Sequence, residues 1–184
     1  MTEAIPNNAP DPRGKSVDLH MWVDSDHAGD KVKRRSRTGY FIFLNTALIN
    51  WLSKKQATIE GSVFGVEFAA MKTGVDSLRG IRYKLLMMGV PLTRPTYMYG
   101  NNMSFIYNTS QPKSTLKNKS NSICYHAVRK SVASGECLTT HYKTGDNYSD
   151  MMTKLLYGKK NRDKVSRIPY DIWDHEDGPE PAKE

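Results

Sequence analysis

Cysteine is scarce in this chain. Cys124 and Cys137 are the only two, with no C-x-x-C spacing and no cluster of histidines near them. That excludes a disulfide scaffold and a zinc module of the usual spacing, and leaves two reduced thiols. No apolar run approaches the length of a bilayer span, and no basic-then-apolar leader opens the sequence, so the expectation is an intracellular protein with no membrane partner. No internal repeat is visible.

What the sequence does hold is core material. Of its 184 residues, 38% are hydrophobic and 10% aromatic, enough for one folded domain. The net charge is +8 and unevenly spread. Residues 171–184 carry six acids against Lys183, along with Pro179 and Pro181, and read as an acidic, disordered tail. The rest of the chain is correspondingly basic, which points to a polyanionic partner, nucleic acid first. Residues 1–17 contain Pro6, Pro10 and Pro12 with little apolar content and read as a flexible linker, leaving 18–170 as the folded domain.

Within that domain the hydrophobic period changes along the chain. Leu19 to Val23, Thr38 to Leu44 and Ala47 to Leu52 read as three strands with short connections, an antiparallel meander. Phe64, Phe68, Met71, Val75, Leu78, Ile81, Leu85 and Met88 then fall at steps of three and four, a helical stripe that Gly74 and Gly80 weaken. Pro95 to Gly100 is a fourth strand, placed after a long helix and so expected parallel to the first. A short helix over 103–110 and a Lys-rich loop (Lys113, Lys117, Lys119) follow. Ile123 to Val132 predicts another helix, Leu138 to Lys143 a fifth strand and Tyr148 to Leu156 a last helix. The expected fold is α/β, a five-stranded mixed sheet of three antiparallel strands followed by parallel crossovers, flanked by helices.

The first strand breaks into Asp24-Ser25-Asp26-His27-Ala28-Gly29-Asp30 and then the basic run Lys31 to Arg37. A carboxylate at the end of a buried strand needs a partner, because an isolated buried charge is very costly. Glu67 lies at the edge of the long helix's apolar stripe and is expected to point along the helix–sheet boundary. Asn101-Asn102 ends the fourth strand, where open α/β sheets place ligands. Asp150 sits on the last helix. Asp26 shares the strand face of Asp24 but is best read as capping the turn at Gly29. His27 and His126 are read as ordinary hydrogen-bonded residues, and His141 as a residue able to reach the cleft.

These stretches together resemble the ribonuclease H domain of copia-type LTR retrotransposons. The matching segments are Trp22 to Asp30, Arg34 to Gly39, Trp51 to Gln56, Phe64 to Phe68, Ser122 to His126 and Asp150 to Lys154, in order and in register over roughly residues 18–157. The resemblance implies a ribonuclease H-like fold that binds RNA–DNA hybrid and hydrolyses its RNA strand during reverse transcription. It further implies two Mg²⁺ ions, replaceable by Mn²⁺, held by Asp24, Glu67 and Asp150. A reverse transcriptase in the same polyprotein would be the protein partner, and a cytoplasmic virus-like particle the setting. Phosphate contacts are expected from Lys31, Lys33, Arg34, Arg35 and Arg37 and from Lys117 and Lys119. Contacts to the 2′-OH groups are implied for Ser25 and Asn102. The connection Thr144 to Asn147 is short and holds no histidine, as in that family.

Two positions depart from the family pattern. Asn101 stands where a third aspartate belongs, and Ser120 where a histidine is usual. An amide brings one neutral oxygen in place of a charged carboxylate, so the chain as written is expected to be inactive or impaired. The alternative is a non-catalytic module that binds hybrid or docks on the reverse transcriptase. A transposase or integrase core fits less well, because those place two aspartates before a final glutamate.

Overall fold

The computed structural model describes residues 3–110, 121–143 and 146–170. Lys113, Lys117, Lys119, Ser120, Thr144, Gly145 and the acidic segment 171–184 lie outside them. The described elements run β1 (Leu19–Asp26), β2 (Arg37–Leu44), β3 (Ala47–Lys55), α1 (Val63–Met87), β4 (Thr96–Gly100), α2 (Met103–Ser110), α3 (Ser122–Ala133), β5 (Cys137–His141), α4 (Asp150–Thr153) and α5 (Gly158–Tyr170). They build one five-stranded sheet in the order β3-β2-β1-β4-β5. β1 pairs antiparallel with β2 and parallel with β4, and β4 pairs parallel with β5, as the meander-then-crossover pattern predicts.

β1 and β2 are apolar on both faces because both faces are covered. Met21, Val23, Tyr40 and Ile42 pack beneath α1 with Phe68, Met71, Val75 and Leu78. Trp22, Phe41, Phe43 and Tyr99 face the other way and form an aromatic cluster with Tyr148. β3 alternates between half-buried and exposed residues and ends in Lys54 and Lys55, as suits a sheet edge.

α1 starts at Ser62, whose hydroxyl accepts from Gly65 N at 3.1 Å. It closes with Gly89 N on Leu86 O and Val90 N on Leu85 O, the paired bonds of a Schellman ending. The helix runs unbroken through Gly74, where a Cβ would come within 2.0 Å of Met21 Cε, so that glycine serves close helix–strand approach. Met88, part of the apolar stripe by its spacing, is 71% exposed beyond the helix end.

The C-terminal region departs furthest from the sequence expectation. The helix expected over Tyr148 to Leu156 is a single turn, α4, after which Lys154 is extended (φ −120°, ψ 148°). Leu155 and Tyr157 are exposed, so they lend no apolar face to a longer helix. A separate helix, α5, follows where the sequence pattern predicts none. The opening segment, expected to be a flexible linker, shows no helix or strand among its described residues but is tied to the body. Arg13 N bonds Gly89 O, Val17 N bonds Pro91 O, and the Glu3 carboxylate pairs with the buried Arg82.

Candidate active site

Asp24 is six residues into β1, and strand alternation turns it to the face that carries Trp22 and, beyond it, α4. Its partner across β2 is Gly39. A Cβ on Gly39 would lie 2.5 Å from Met152 Cβ and 2.8 Å from Thr153 Cγ2. The missing side chain is therefore what lets α4 rest on the strand and carry Asp150 and Thr153 to Asp24. Thr153 Oγ1 donates to Asp24 Oδ2, and Asn147 Nδ2 donates to Val23 O at 3.1 Å, clamping the entry to α4 against β1.

Glu67 arrives from the opposite face on α1 and is buried. The neighbouring turn is fixed by Gln56, whose Nε2 donates to Thr38 Oγ1 and Val66 O, both at 3.1 Å. Burial, followed by the charge of Asp24, pushes the Glu67 carboxyl up to about 7. The Ser25 hydroxyl and Lys154 act in the opposite direction. Asp24 is raised as well, chiefly by burial and in part by Asp150, against the Thr153 and Lys154 contacts. Asn101 closes the end of β4 and its Nδ2 lies 3.2 Å from Asp24 Oδ1.

The structure thus gathers Asp24, Glu67, Asp150 and Asn101 at one end of the central strands. It also adds two cations to which the sequence pattern assigns no role. Lys154 Nζ lies 3.3 Å from Asp24 Oδ2 and pairs with Asp150 Oδ1. Lys164, from α5, lies 3.2 Å from Asp150 Oδ2 and donates to Asn147 O. The spacing of Lys154 marks it as an (i, i+4) partner of Asp150. Nothing comparable marks Lys164, which reaches the acid from a separate helix. Among the described residues, no three acidic, His or Cys side chains converge closely enough to hold an ion as they stand.

The remaining sequence candidates separate from this cluster. Asp26 accepts from Arg37 N and packs over Gly29, which fits the turn reading. Lys31, Lys33, Arg34 and Arg35 are exposed on the β1–β2 connection, which Asp30 shapes by accepting from Val32 N and Lys33 N. An open groove of about 750 Å³ runs from Lys31, Arg35 and Arg37 past Lys55 to Thr153 and Lys154, joining the basic connection to the acid cluster. Asn102 begins α2 through its carbonyl, which accepts from Ile106 N. His27, His126 and His141 are exposed; His141 pairs with Gly100, next to Asn101. Cys124 and Cys137 are free thiols. Lys117 and Lys119 fall outside the described residues.

Comparison with known proteins identifies first the fold and then the relatives. The N-terminal RNase H domain of a Mycobacterium tuberculosis protein superposes with a TM-score of 0.57 at 9% identity, covering 83% of this chain and 96% of that one. LC11-RNase H1 in complex with RNA/DNA hybrid gives 0.57 at 11% identity, covering 73% and 93%. The fold is that of ribonuclease H domains. No family model matches the chain. In sequence it is 33% identical over 156 residues to the retrovirus-related Pol polyprotein from transposon RE1 of Arabidopsis thaliana, covering 85% of this chain and 11% of that protein. It is 31% identical over 144 residues to the corresponding polyprotein from transposon RE2 of the same plant, covering 78% and 10%. The chain belongs to the copia-type Pol polyproteins, and it spans about a tenth of the length of these curated relatives. Among the described residues, no helix is long and apolar enough to cross a membrane.

Proposed function

We propose that residues 18–170 form a ribonuclease H domain that binds RNA–DNA hybrid along the basic groove, and that Asn101 leaves it inactive or impaired in cutting the RNA strand. The observation that carries this reading is the burial of Asp24, Glu67 and Asp150 at the end of the central strands, beside a groove lined by cationic side chains. Pairing of lysine and arginine with phosphates would make the grip salt-sensitive and indifferent to sequence. The hybrid bound by the structural neighbour LC11-RNase H1 agrees with that ligand class. The Pol relatives agree with a reverse transcriptase as covalent neighbour in a retrotransposon polyprotein, residues 1–17 being the connection to it.

The donor set fits a hard divalent cation such as Mg²⁺ or Mn²⁺, since it is all oxygen. Glu67 is raised first by burial and then by the Asp24 charge, and a cation between the two would relieve that repulsion. Asp24, Glu67 and Asp150 would hold the metal, which when bound supplies water activation and charge stabilisation for phosphodiester hydrolysis. Asn101 donates an N–H to Asp24 where an aspartate would bring another anionic ligand.

The test is cleavage of labelled RNA–DNA hybrid in Mg²⁺ and Mn²⁺ by the chain as given and by Asn101→Asp. Restoring the carboxylate is expected to raise cleavage at least about tenfold, in line with the usual effect of ligand-shell changes. A folded Asn101→Asp protein that cuts no better sinks the nuclease reading. A non-catalytic hybrid-binding or docking module is the second reading. It is favoured by the way Asn101, Thr153 and Lys154 already occupy both oxygens of Asp24. Titration of labelled hybrid against single strands decides it: affinity for hybrid in EDTA, without cleavage by either chain, supports the module.

A further inference from the structure

The cluster holds three carboxylates, from Asp24, Glu67 and Asp150, and two ammonium groups, from Lys154 and Lys164, so one net negative charge remains when all five are ionised. The contacts are unequally shared. Asp150 has one oxygen on each lysine. Asp24 Oδ2 takes the Thr153 hydroxyl and Lys154, while its Oδ1 faces the Asn101 amide. Among the described residues, Glu67 has no cation within ion-pairing distance, and Lys154 acts on it only through space. The position between Asp24 and Asp150 is filled by the chain's own ammonium group, and Asn101 removes the acid that would have balanced a further cation.

We infer that the three-acid set proposed above narrows to a single divalent ion held by Asp24 and Glu67, because both Asp150 oxygens are taken by lysines, and that Lys154 supplies in protein form the second positive charge between Asp24 and Asp150. This rests on the nuclease reading for its purpose but not for its measurement. Lys154 suits the role because its main chain is pinned by its N–H on Asp150 O at 2.8 Å, and because its half-exposed side chain lies where the basic groove opens on the acids. An ammonium at contact distance from Asp24 opposes entry of a second cation by direct Coulomb repulsion, which is strong where water is excluded.

The experiment is calorimetric titration of MnCl₂ into the full chain without nucleic acid, with free Mn²⁺ followed by electron paramagnetic resonance. One ion is expected, and Asp24→Asn should remove it, which assigns it to this site and not to the acids of 171–184. Lys154→Met should admit a second ion or tighten the first roughly tenfold, whereas Lys154→Arg should stay at one. Two ions on the unaltered chain, none at all, one that survives Asp24→Asn, or a Lys154→Met titration indistinguishable from the original each overturns the inference. Hybrid affinity measured by anisotropy in EDTA separates the two proposals. Absent hybrid binding with the expected Mn²⁺ counts sinks the nuclease reading alone, and intact hybrid binding with contrary counts sinks the single-ion inference alone.

Discussion

Arg82, on α1, and Asp24, on the central strand β1 that this helix covers, are both buried charges, yet they sit in opposite kinds of surroundings. Arg82 lies at the entry to β4. Its Nε is 3.0 and 2.9 Å from the two Glu3 oxygens, and its Nη1 is 3.0 Å from Thr96 Oγ1 and 3.3 Å from Arg94 O. One cation meets one carboxylate and two neutral acceptors, and nothing is left over. Asp24 lies at the exit end, among two further acids, two lysines and an amide, with burial first and like charges after it raising both Asp24 and Glu67. The first cluster is closed and holds the chain together. The second keeps one more acid than base, an imbalance of the kind found at binding sites and not at structural ion pairs.

The largest test of that contrast is Glu3→Ala. It leaves Arg82 buried without its counter-ion and should cost about 3–5 kcal/mol in urea denaturation. A loss below about 1 kcal/mol would mean that the Glu3 pair contributes little and that the arginine end is not closed in this sense.

The acid end should behave in the opposite way. Glu67 titrates near 7 in the folded chain against 4.5 in its ordinary state. Between those values the folded state holds a proton that the unfolded state has released, so metal-free stability falls as pH rises through this window. The loss on this account is about 3 kcal/mol by pH 8. Glu67→Gln in EDTA should flatten that slope and make the protein more stable than the original at pH 8. A steeper or unchanged slope would put the titrating group elsewhere.

Gly39→Ala sharpens the comparison by moving one wall of the site only. The new methyl meets Met152 and Thr153 and must push α4 off β2. The expected cost is about 1–3 kcal/mol, with loss of whatever cleavage Asn101→Asp shows. Smallest in stability is the triple change Lys33→Ala, Arg34→Ala and Arg35→Ala, expected within about 0.5 kcal/mol because all three are exposed. Its effect belongs to hybrid binding, where the slope of affinity against salt should fall by about one unit for each cation–phosphate pair removed.

Much of this is legible from residue order. Apolar and β-branched runs locate the central strands, which are buried on both faces, and alternation suits the edge strand β3, while the step-of-four stripe locates the long helix. The acids are legible as oddities: Asp24 ends an apolar strand, and Glu67 interrupts the edge of an apolar stripe. Boundaries are harder. β1 extends three residues beyond Val23, so Asp24 is inside the strand and held in the sheet, which composition alone does not reveal. The C-terminal helix is misleading in sequence, because Leu155 and Tyr157 are apolar but have no surface to pack on.

Residue order alone carries the succession of strands and of the helices as far as α3, the excess of positive charge and which acids stand apart from their neighbours, since each of these is a property of local pattern. Only the tertiary structure decided what the acids meet. Lys154 is four residues from Asp150 but 130 from Asp24, and Gly39 admits α4 only because β2 lies beside β1. Contacts of that kind depend on the packing of segments distant in the chain, and it is these contacts that set the charge of the site.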